Sequence, residues 1–403
     1  MDDSDAYGTS RVSRLFPGGE RLAHADLHNH TALSDGKGDP RRALASMRSA
    51  GLDAAALTDH AVLASGLGKL MALPLNRLTG IDRYSWDQLG RLADHAHQDG
   101  AFVAMRGFEW SDPFRGHLNV WGTEDYTDPL HDLGWGLGPL YDWLASTAGR
   151  QGLASFNHPG GRADAFVLSG FRLRPAARDQ IVGLEVFNKS EDYVFRLSGP
   201  GRRSPLCRCL DAGWRPGLTG VTDEHGADWG RAPGKGRTGL WVSALTREGV
   251  RAALLGRRSY ATRERGLRLD ASLNGIRMGG AVPAGSDVAA GGAATAAGSD
   301  VPAGGAATAG GGAGVLRVDL AGVGPAELQV QLLGTGRRLP TLLLTAAISV
   351  PGPVVELSVP AALLEPGRHR WLVLRIADLR SDEPRAPGGW GRSVAYASPW
   401  WLE

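Results

Sequence analysis

The feature that most constrains this chain is a recurrence. Between about residues 23 and 260, short apolar runs alternate with helical segments, and run after run ends on a histidine or an acid. Ala54 to Leu57 leads to His60, Ala101 to Phe108 to Glu109, Leu153 to Phe156 to His158, and Leu218 to Val221 to Asp223 and His225. Continuous apolar runs of this kind are what buried parallel strands look like, with helices as crossovers, and in α/β barrels functional groups collect at the carboxyl ends of the strands. One shared site at that end is expected.

The crossovers carry their own punctuation. Asp39 is placed to cap a first helix, Pro40 suits its first turn, Ala43, Leu44 and Met47 form a face, and Gly51 follows the end. A second helix is predicted from about Trp86 to Gln98 with Ser85 and Gln88 as a capping box, a third around Pro139 to Ala148, and another around Glu248 to Leu255. His95 and His97 on the second helix read as ordinary surface residues.

The densest chemistry lies early, in Asp26-Leu27-His28-Asn29-His30-Thr31, followed by Asp35 and by Thr58-Asp59-His60. On a strand of period two, His28 and His30 project from one face, close enough to grip one ion. Imidazole and carboxylate together suit borderline divalent metals. His117, in Gly116-His117-Leu118-Asn119-Val120, starts an apolar run just after Glu109 and is reached from a neighbouring turn.

Bulk electrostatics narrow the partners. Forty-four basic against forty-two acidic side chains leave a net charge of +2, which implies neither nucleic acid nor an anionic membrane. The start, Met1 to Asp5, is acidic and lacks an apolar stretch, and no later run approaches the roughly 18 apolar residues of a membrane span. A cytoplasmic protein acting on a small molecule is expected. Cys207 and Cys209 are too close for an ordinary disulfide and are expected as free thiols.

Composition changes after residue 265. From about 281 to 314 the chain is nearly all Gly, Ala, Ser, Thr and Asp, and Gly285 to Ala297 recurs as Gly298 to Gly310. Such a segment buries too little to offset its ordering entropy, so a disordered insertion is expected. Around it, Leu267 to Leu273, Val315 to Leu320, Glu327 to Leu333, Val354 to Val359 and Trp371 to Ile376 alternate between Gly and Pro breaks, which predicts an antiparallel β-sandwich. The expected organisation is an N-terminal extension over 1–22, a hydrolase domain over 23–264 and the sandwich over 265–403.

In order, DLHNHT with a following SDG, then TDH, GFEW, GH, NHP and TDEH resemble the motifs of the PHP family, named for polymerase and histidinol phosphatase domains, over about residues 23 to 264. The GRRSYAT segment and the terminal YASPWW are similar to its carbaryl-hydrolase-like branch. The resemblance implies a distorted (β/α)7 barrel holding two or three divalent ions (Zn, Mn or Fe). It implies that His28, His30, Glu109 and Asp223 hold one ion and that Glu109 bridges to a second, also held by His117 and His158. Asp35, His60 and His225 would hold a third. Adjacent ions generate hydroxide near neutral pH and clamp the attacking and leaving oxygens, so a metal-bridging hydroxide is the expected nucleophile, with Glu109, Asp223 and His225 as the catalytic groups.

Around these, Asp26 shares the parity of His28 and His30 and is expected, with Glu185, to brace the ligands from behind. Arg162, Lys189 and Asn188 follow strand or motif ends and are candidates for substrate contact, as is Arg115. The leading expectation is a hydrolase of small phosphoesters. A carbamate or aryl-ester hydrolase at the same centre is the alternative, with Trp110, Trp121, Trp135, Trp143 and Trp229 building an apolar pocket. A degenerate binding module would lack a full ligand set, and here the set is complete.

Overall fold

The computed structural model describes residues 8–62, 80–112, 116–129, 137–160, 171–199, 201–231, 234–283, 314–323, 327–350, 352–365, 367–380 and 390–403. Arg115, Trp135, Arg162 and nearly all of the Gly/Ala-rich insertion lie outside the described residues.

The first part of the chain is a mixed α/β assembly. Its strands are β1 (Arg21–Asp26), β2 (Ala54–Leu57), β3 (His60–Val62), β4 (Val103–Asp112), β5 (Gly116–Trp121), β6 (Leu153–Phe156), β7 (Ile181–Asn188), β8 (Glu191–Asp192), β9 (Gly217–Val221), β10 (Arg237–Val242) and β11 (Ser259–Thr262). β1, β2 and β4 pair in parallel, as do β6, β7 and β9. Between the two sets, β5 runs antiparallel to both β4 and β6. An isolated parallel bridge, Asn29 to Glu224, ties the segment after β1 to the segment after β9. The ends of the first and last parallel strands therefore meet. Along its outer edge β9 is satisfied by hydroxyls: the Leu218 N–H donates to Ser398 Oγ at 3.0 Å and the Gly220 N–H to Thr238 Oγ1 at 3.1 Å.

Two expectations are corrected here. The run carrying His117 is a full strand, antiparallel because only a three-residue connection separates it from β4, too short for a crossover. β1 stops at Asp26, so His28 and His30 stand on the bridged segment beyond the strand rather than within it.

The helices are α1 (Pro40–Ser49), α2 (Arg83–Ala96), α3 (Gly138–Ala145), α4 (Pro205–Asp211) and α5 (Arg247–Leu255). Asp39 caps α1 as its sequence implies. α2 begins earlier than the Ser85 box suggests, because the Asp82 carboxylate accepts from the Ser85 N–H at 2.8 Å and takes the cap itself. The alternation of β2 feeds two cores. Ala55 and Leu57 join Leu44 and Met47 of α1 and Trp86 and Leu89 of α2, whereas Ala54 and Ala56 join Val250, Ala253 and Leu254 of α5. Each fully buried large side chain of this kind contributes about 1.5–3 kcal/mol. Cys207 and Cys209 are free and buried on α4, where burial pushes the Cys207 thiol up to about 12.

The second part adds β12 (Arg268–Leu273), β13 (Ile276–Arg277), β14 (Ala281–Val282), β15 (Gly314–Ala321), β16 (Leu328–Gly334), β17 (Thr341–Ile348), β18 (Val355–Val359), β19 (Trp371–Asp378), β20 (Arg392–Ala397) and β21 (Trp400–Leu402). β13, β12, β15 and β18 form one antiparallel sheet. β17, β16, β19 and β20 form another ladder, and the two share a core that includes Leu269, Leu316, Val330, Leu374 and Val394. β20 also pairs antiparallel with β11, which pairs with β10 and so with β1. Hydrogen bonding is continuous across position 264. The N-terminal segment crosses the same seam, with Arg14 paired to Asp319 and Ser13 bonded to Asp270.

Candidate metal centre

Strand register brings the site together. In the β3–β4 pairing His60 lies opposite Glu109, and in the β4–β5 pairing His117 lies opposite Ser111, one same-face step from Glu109. Asn157 and His158 follow β6, Glu185 lies on β7, and Asp223 and His225 follow β9. His158, Lys189 and Asp223 take left-handed backbone conformations, with φ of 30°, 53° and 46°, immediately or shortly after their strands end. Such conformations cost on the order of 1–3 kcal/mol each and persist where the surroundings hold them.

Glu109 is fully buried at the middle of the cluster. Its Oε1 lies 3.2 Å from His28 Nε2 and 3.3 Å from both His117 Nδ1 and His158 Nε2, and its Oε2 lies 2.7 Å from His60 Nδ1. Asp223 Oδ1 is 3.4 Å from His30 Nε2 and 3.2 Å from His225 Nδ1. Asp35 Oδ1 reaches His60 Nε2 at 3.4 Å and His225 Nε2 at 3.3 Å. Among the described residues, three overlapping groups have donor atoms within 4.8 Å of one another: His28, His30 and Glu109; His60, Glu109 and His117; and His30, Asp35, His60 and His225. Glu109 belongs to two of them. His60, assigned by resemblance to the outer set alone, faces both sets, and so does His30.

The chemistry of the donor set fits a cation. His28 Nδ1 lies 2.7 Å from Glu185 Oε1, and a carboxylate there requires Nδ1 to carry the hydrogen. The neutral ring then aims its Nε2 lone pair at His30 Nε2, 3.0 Å away, and at Glu109 Oε1. Lone pairs facing lone pairs in a buried pocket repel unless a proton or a metal ion lies among them. The electrostatics of these groups run the same way. Burial opposes charge on His28, yet Glu185, Asp223 and Glu109 outweigh it and hold the imidazole well above its ordinary range. Burial likewise opposes ionising Glu109 and Asp223, and the imidazoles overcome it, holding both carboxyls well below theirs. Burial, helped by His60, depresses His30 to about 3 and leaves it a neutral ligand.

Behind the cluster, several partners differ from those the sequence suggested. Asp26 braces no imidazole: its carboxylate accepts from the Thr222 N–H at 3.1 Å and from the Thr222 hydroxyl, and burial raises its carboxyl to about 6 against those bonds. Glu185 braces His28 as expected of it, its Oε2 also accepting from the His158 N–H at 2.7 Å and from Asn188 Nδ2 at 2.9 Å. Asn188 is thus a buried support for Glu185 rather than a wall of the opening. Three contributors escaped notice in the sequence. Asn157 donates to Glu109 Oε1 at 2.7 Å, Ser111 Oγ lies 2.6 Å from His60 Nδ1, and Asp59 accepts from the Thr31 N–H and the Ser34 hydroxyl, bracing the turn that carries Asp35. Asn157 and Asp59 each precede a motif histidine, the one available signal.

The centre opens on the side of Asp35, His117, His158 and His225, whose side chains are a quarter to a third exposed. Lys189, half exposed, sits beside it with Nζ 3.1 Å from Asp223 Oδ2. Among the described residues, the tryptophans expected to build an apolar pocket lie in the core instead. Trp110, Trp121 and Trp229 are buried core residues, Trp143 packs partly buried against the same core as Trp110, and Trp229 Nε1 donates to the His30 carbonyl at 3.1 Å. A Cβ at Gly38 would stand 2.0 Å from the Trp229 ring, so that position needs glycine. His95 lies on α2 and His97 at its end, where it pairs with Asp99, and neither belongs to the groups of clustered donors.

No protein-family model matches the sequence, and no curated protein matches it. Solved structures do. The chain is similar to a two-domain protein from Bacteroides vulgatus containing a predicted PHP-like metal-dependent phosphoesterase, at 16% identity and a TM-score of 0.45 over 95% of this chain and 96% of that one. A proposed metal-dependent phosphoesterase from Bifidobacterium adolescentis matches at 16% identity and a TM-score of 0.29 over 51% of this chain and 88% of that one. An amidohydrolase from Chromobacterium violaceum, solved with sulfate and no metal, matches at 16% identity and a TM-score of 0.26 over 51% of this chain and 90% of that one.

Proposed function

We propose that this chain is a PHP-type hydrolase, built on a distorted (β/α)7 barrel with a C-terminal β-sandwich, that uses two or three divalent ions to cleave a phosphoester of a small molecule. The observation that carries the reading is the convergence of His28, His30, His60, His117, His158 and Asp223 around one buried carboxylate, Glu109, with Asp35 and His225 completing the open side. Imidazole and carboxylate donors suit Zn, Mn or Fe. When bound, such ions supply an activated water and stabilise charge on the phosphoryl oxygens.

The protein's own groups divide the remaining work. Glu109 is held ionised and is oriented by Asn157 on one oxygen and His60 on the other, so each of its oxygens would be available to hold an ion. Glu185 fixes the hydrogen of His28 on Nδ1 and keeps Nε2 directed inward. Lys189 presents an ammonium at the opening, where it can donate to a phosphoryl oxygen. An apolar wall suited to aryl esters is not formed by the buried tryptophans, which favours the phosphoester.

Inorganic phosphate release from model phosphoesters, assayed with Mn and with Zn, tests the reading. Turnover is expected, with Lys189→Ala raising KM for a phosphoester more than for a neutral ester. Brisk hydrolysis of a neutral aryl ester or carbamate with no phosphate release would overturn it.

A further inference from the structure

A second concave site, sharing no residue with the metal centre, lies at the seam between the two parts of the molecule. A cleft of about 1060 Å³ is lined by Arg203 and Asp211 from the first part and by Arg337, Arg338 and Arg370 from the second. None of these residues belongs to the metal centre. Four guanidinium groups thus face one carboxylate, and that carboxylate is already engaged: Asp211 pairs with Arg203 and accepts from Trp371 Nε1 at 3.0 Å.

Two of the arginines are held in place by hydrogen bonds. Arg338 Nε donates to the Arg202 carbonyl at 3.1 Å, and Arg370 Nη1 donates to the Asp211 carbonyl at 3.0 Å. The Ser204 N–H donates to the Arg338 carbonyl at 2.7 Å, and the Arg370 N–H to Thr335 Oγ1 at 3.0 Å, so the three contributing loops are bonded to one another. These bonds use neutral carbonyls and leave the charge uncompensated. Among the described residues no acid forms an ion pair with Arg337, Arg338 or Arg370. Three like charges gathered in one concavity repel, and the geometry is relieved by a multivalent anion whose oxygens match the guanidinium forks.

We infer that this cleft binds a small, free polyphosphate, a ligand with at least two linked phosphoryl groups, at a site separate from the metal centre. A cleft of this volume, lined by arginines from loops on both sides of the seam, has room for more than one linked phosphoryl group and is of the size that takes small-molecule ligands.

Calorimetric titration of the full-length protein with inorganic tripolyphosphate, against orthophosphate, tests the assignment. Tripolyphosphate is expected to bind the unaltered protein at least tenfold more tightly than orthophosphate, and the double variant Arg338→Ala/Arg370→Ala to lose at least tenfold in affinity. Any extraction of metal by the probe is common to both proteins, because the changed residues are not metal ligands. If the double variant fails to fold, Arg337→Glu, at an exposed side chain, carries the same expectation. Unchanged affinity in the variant, or orthophosphate binding as tightly as tripolyphosphate, overturns the proposal.

Discussion

Glu109 shows how much of this site depends on one charge. Glu109→Gln keeps the side chain's shape but removes the anion that four imidazoles face. Bound metal measured by elemental analysis is expected to fall and turnover to drop by about 100-fold or more, while the circular dichroism spectrum is retained. Normal metal content with near-normal activity would refute the bridging role. Glu185→Gln is the finer test. It preserves a hydrogen-bond acceptor for His28 Nδ1 but removes the charge behind the ring, so metal affinity is expected to weaken by roughly 10-fold to 100-fold in a chelator competition. His95→Ala, on the exposed side of α2, serves as the control and should change neither quantity.

At the scale of single elements, the outer edge of β9 is the unusual one. Its Leu218 N–H is met by the buried Ser398 hydroxyl, which also donates to the Ser259 carbonyl at 2.7 Å. Ser398→Ala leaves the buried Leu218 N–H without this partner, while the Ser259 carbonyl keeps only the Ser398 N–H at 3.1 Å. Unfolding in denaturant should show a loss of about 1–3 kcal/mol, with activity per folded molecule unchanged. Asp82→Ala, which removes the cap of α2, should cost about 1 kcal/mol by the same measurement. A loss as large as that of Ser398→Ala at every surface serine tested would show that the strand edge has no special dependence on its hydroxyl.

For the molecule as a whole, continuity of the ladder from β1 through β10 and β11 to β20 means that the two parts do not meet at a simple linker. Tyr396 Oη donates to Asp192 Oδ2 at 2.8 Å, and the buried Arg375 lies 5.0 Å over the Phe195 ring, so polar and aromatic contacts cross the seam as well. A chain ending at residue 264 would expose the edge of β11 along with the apolar face of Tyr396's former neighbours. Exposed edges of this kind pair with other chains. The truncated protein is therefore expected to elute as aggregate in size-exclusion chromatography, and a monodisperse, metal-loaded fragment would show the first part to be self-sufficient.

Much of the site was legible before any coordinates. Histidines and acids follow several of the apolar runs, because the carboxyl ends of parallel strands deliver polar groups to a common pocket, whereas His117 at the start of antiparallel β5 and Glu109 and Glu185 inside β4 and β7 reach it through register. The same logic exposed the C-terminal strands around Leu269, Leu316, Val330 and Leu374 through their alternation. What the residues could not declare was pairing over distance. Glu185 finds His28 across 157 positions, Thr222 finds Asp26 across 196, and Ser398 completes β9 across 180. Hydrogen bonds of this range follow from register and from which strand edges are left open, and neither is set by local composition. The tertiary structure alone decided that the tryptophans near the motifs belong to the core, that β5 reverses direction, and that arginines from distant loops share one cleft, because each outcome depends on what the folded chain places opposite the residue.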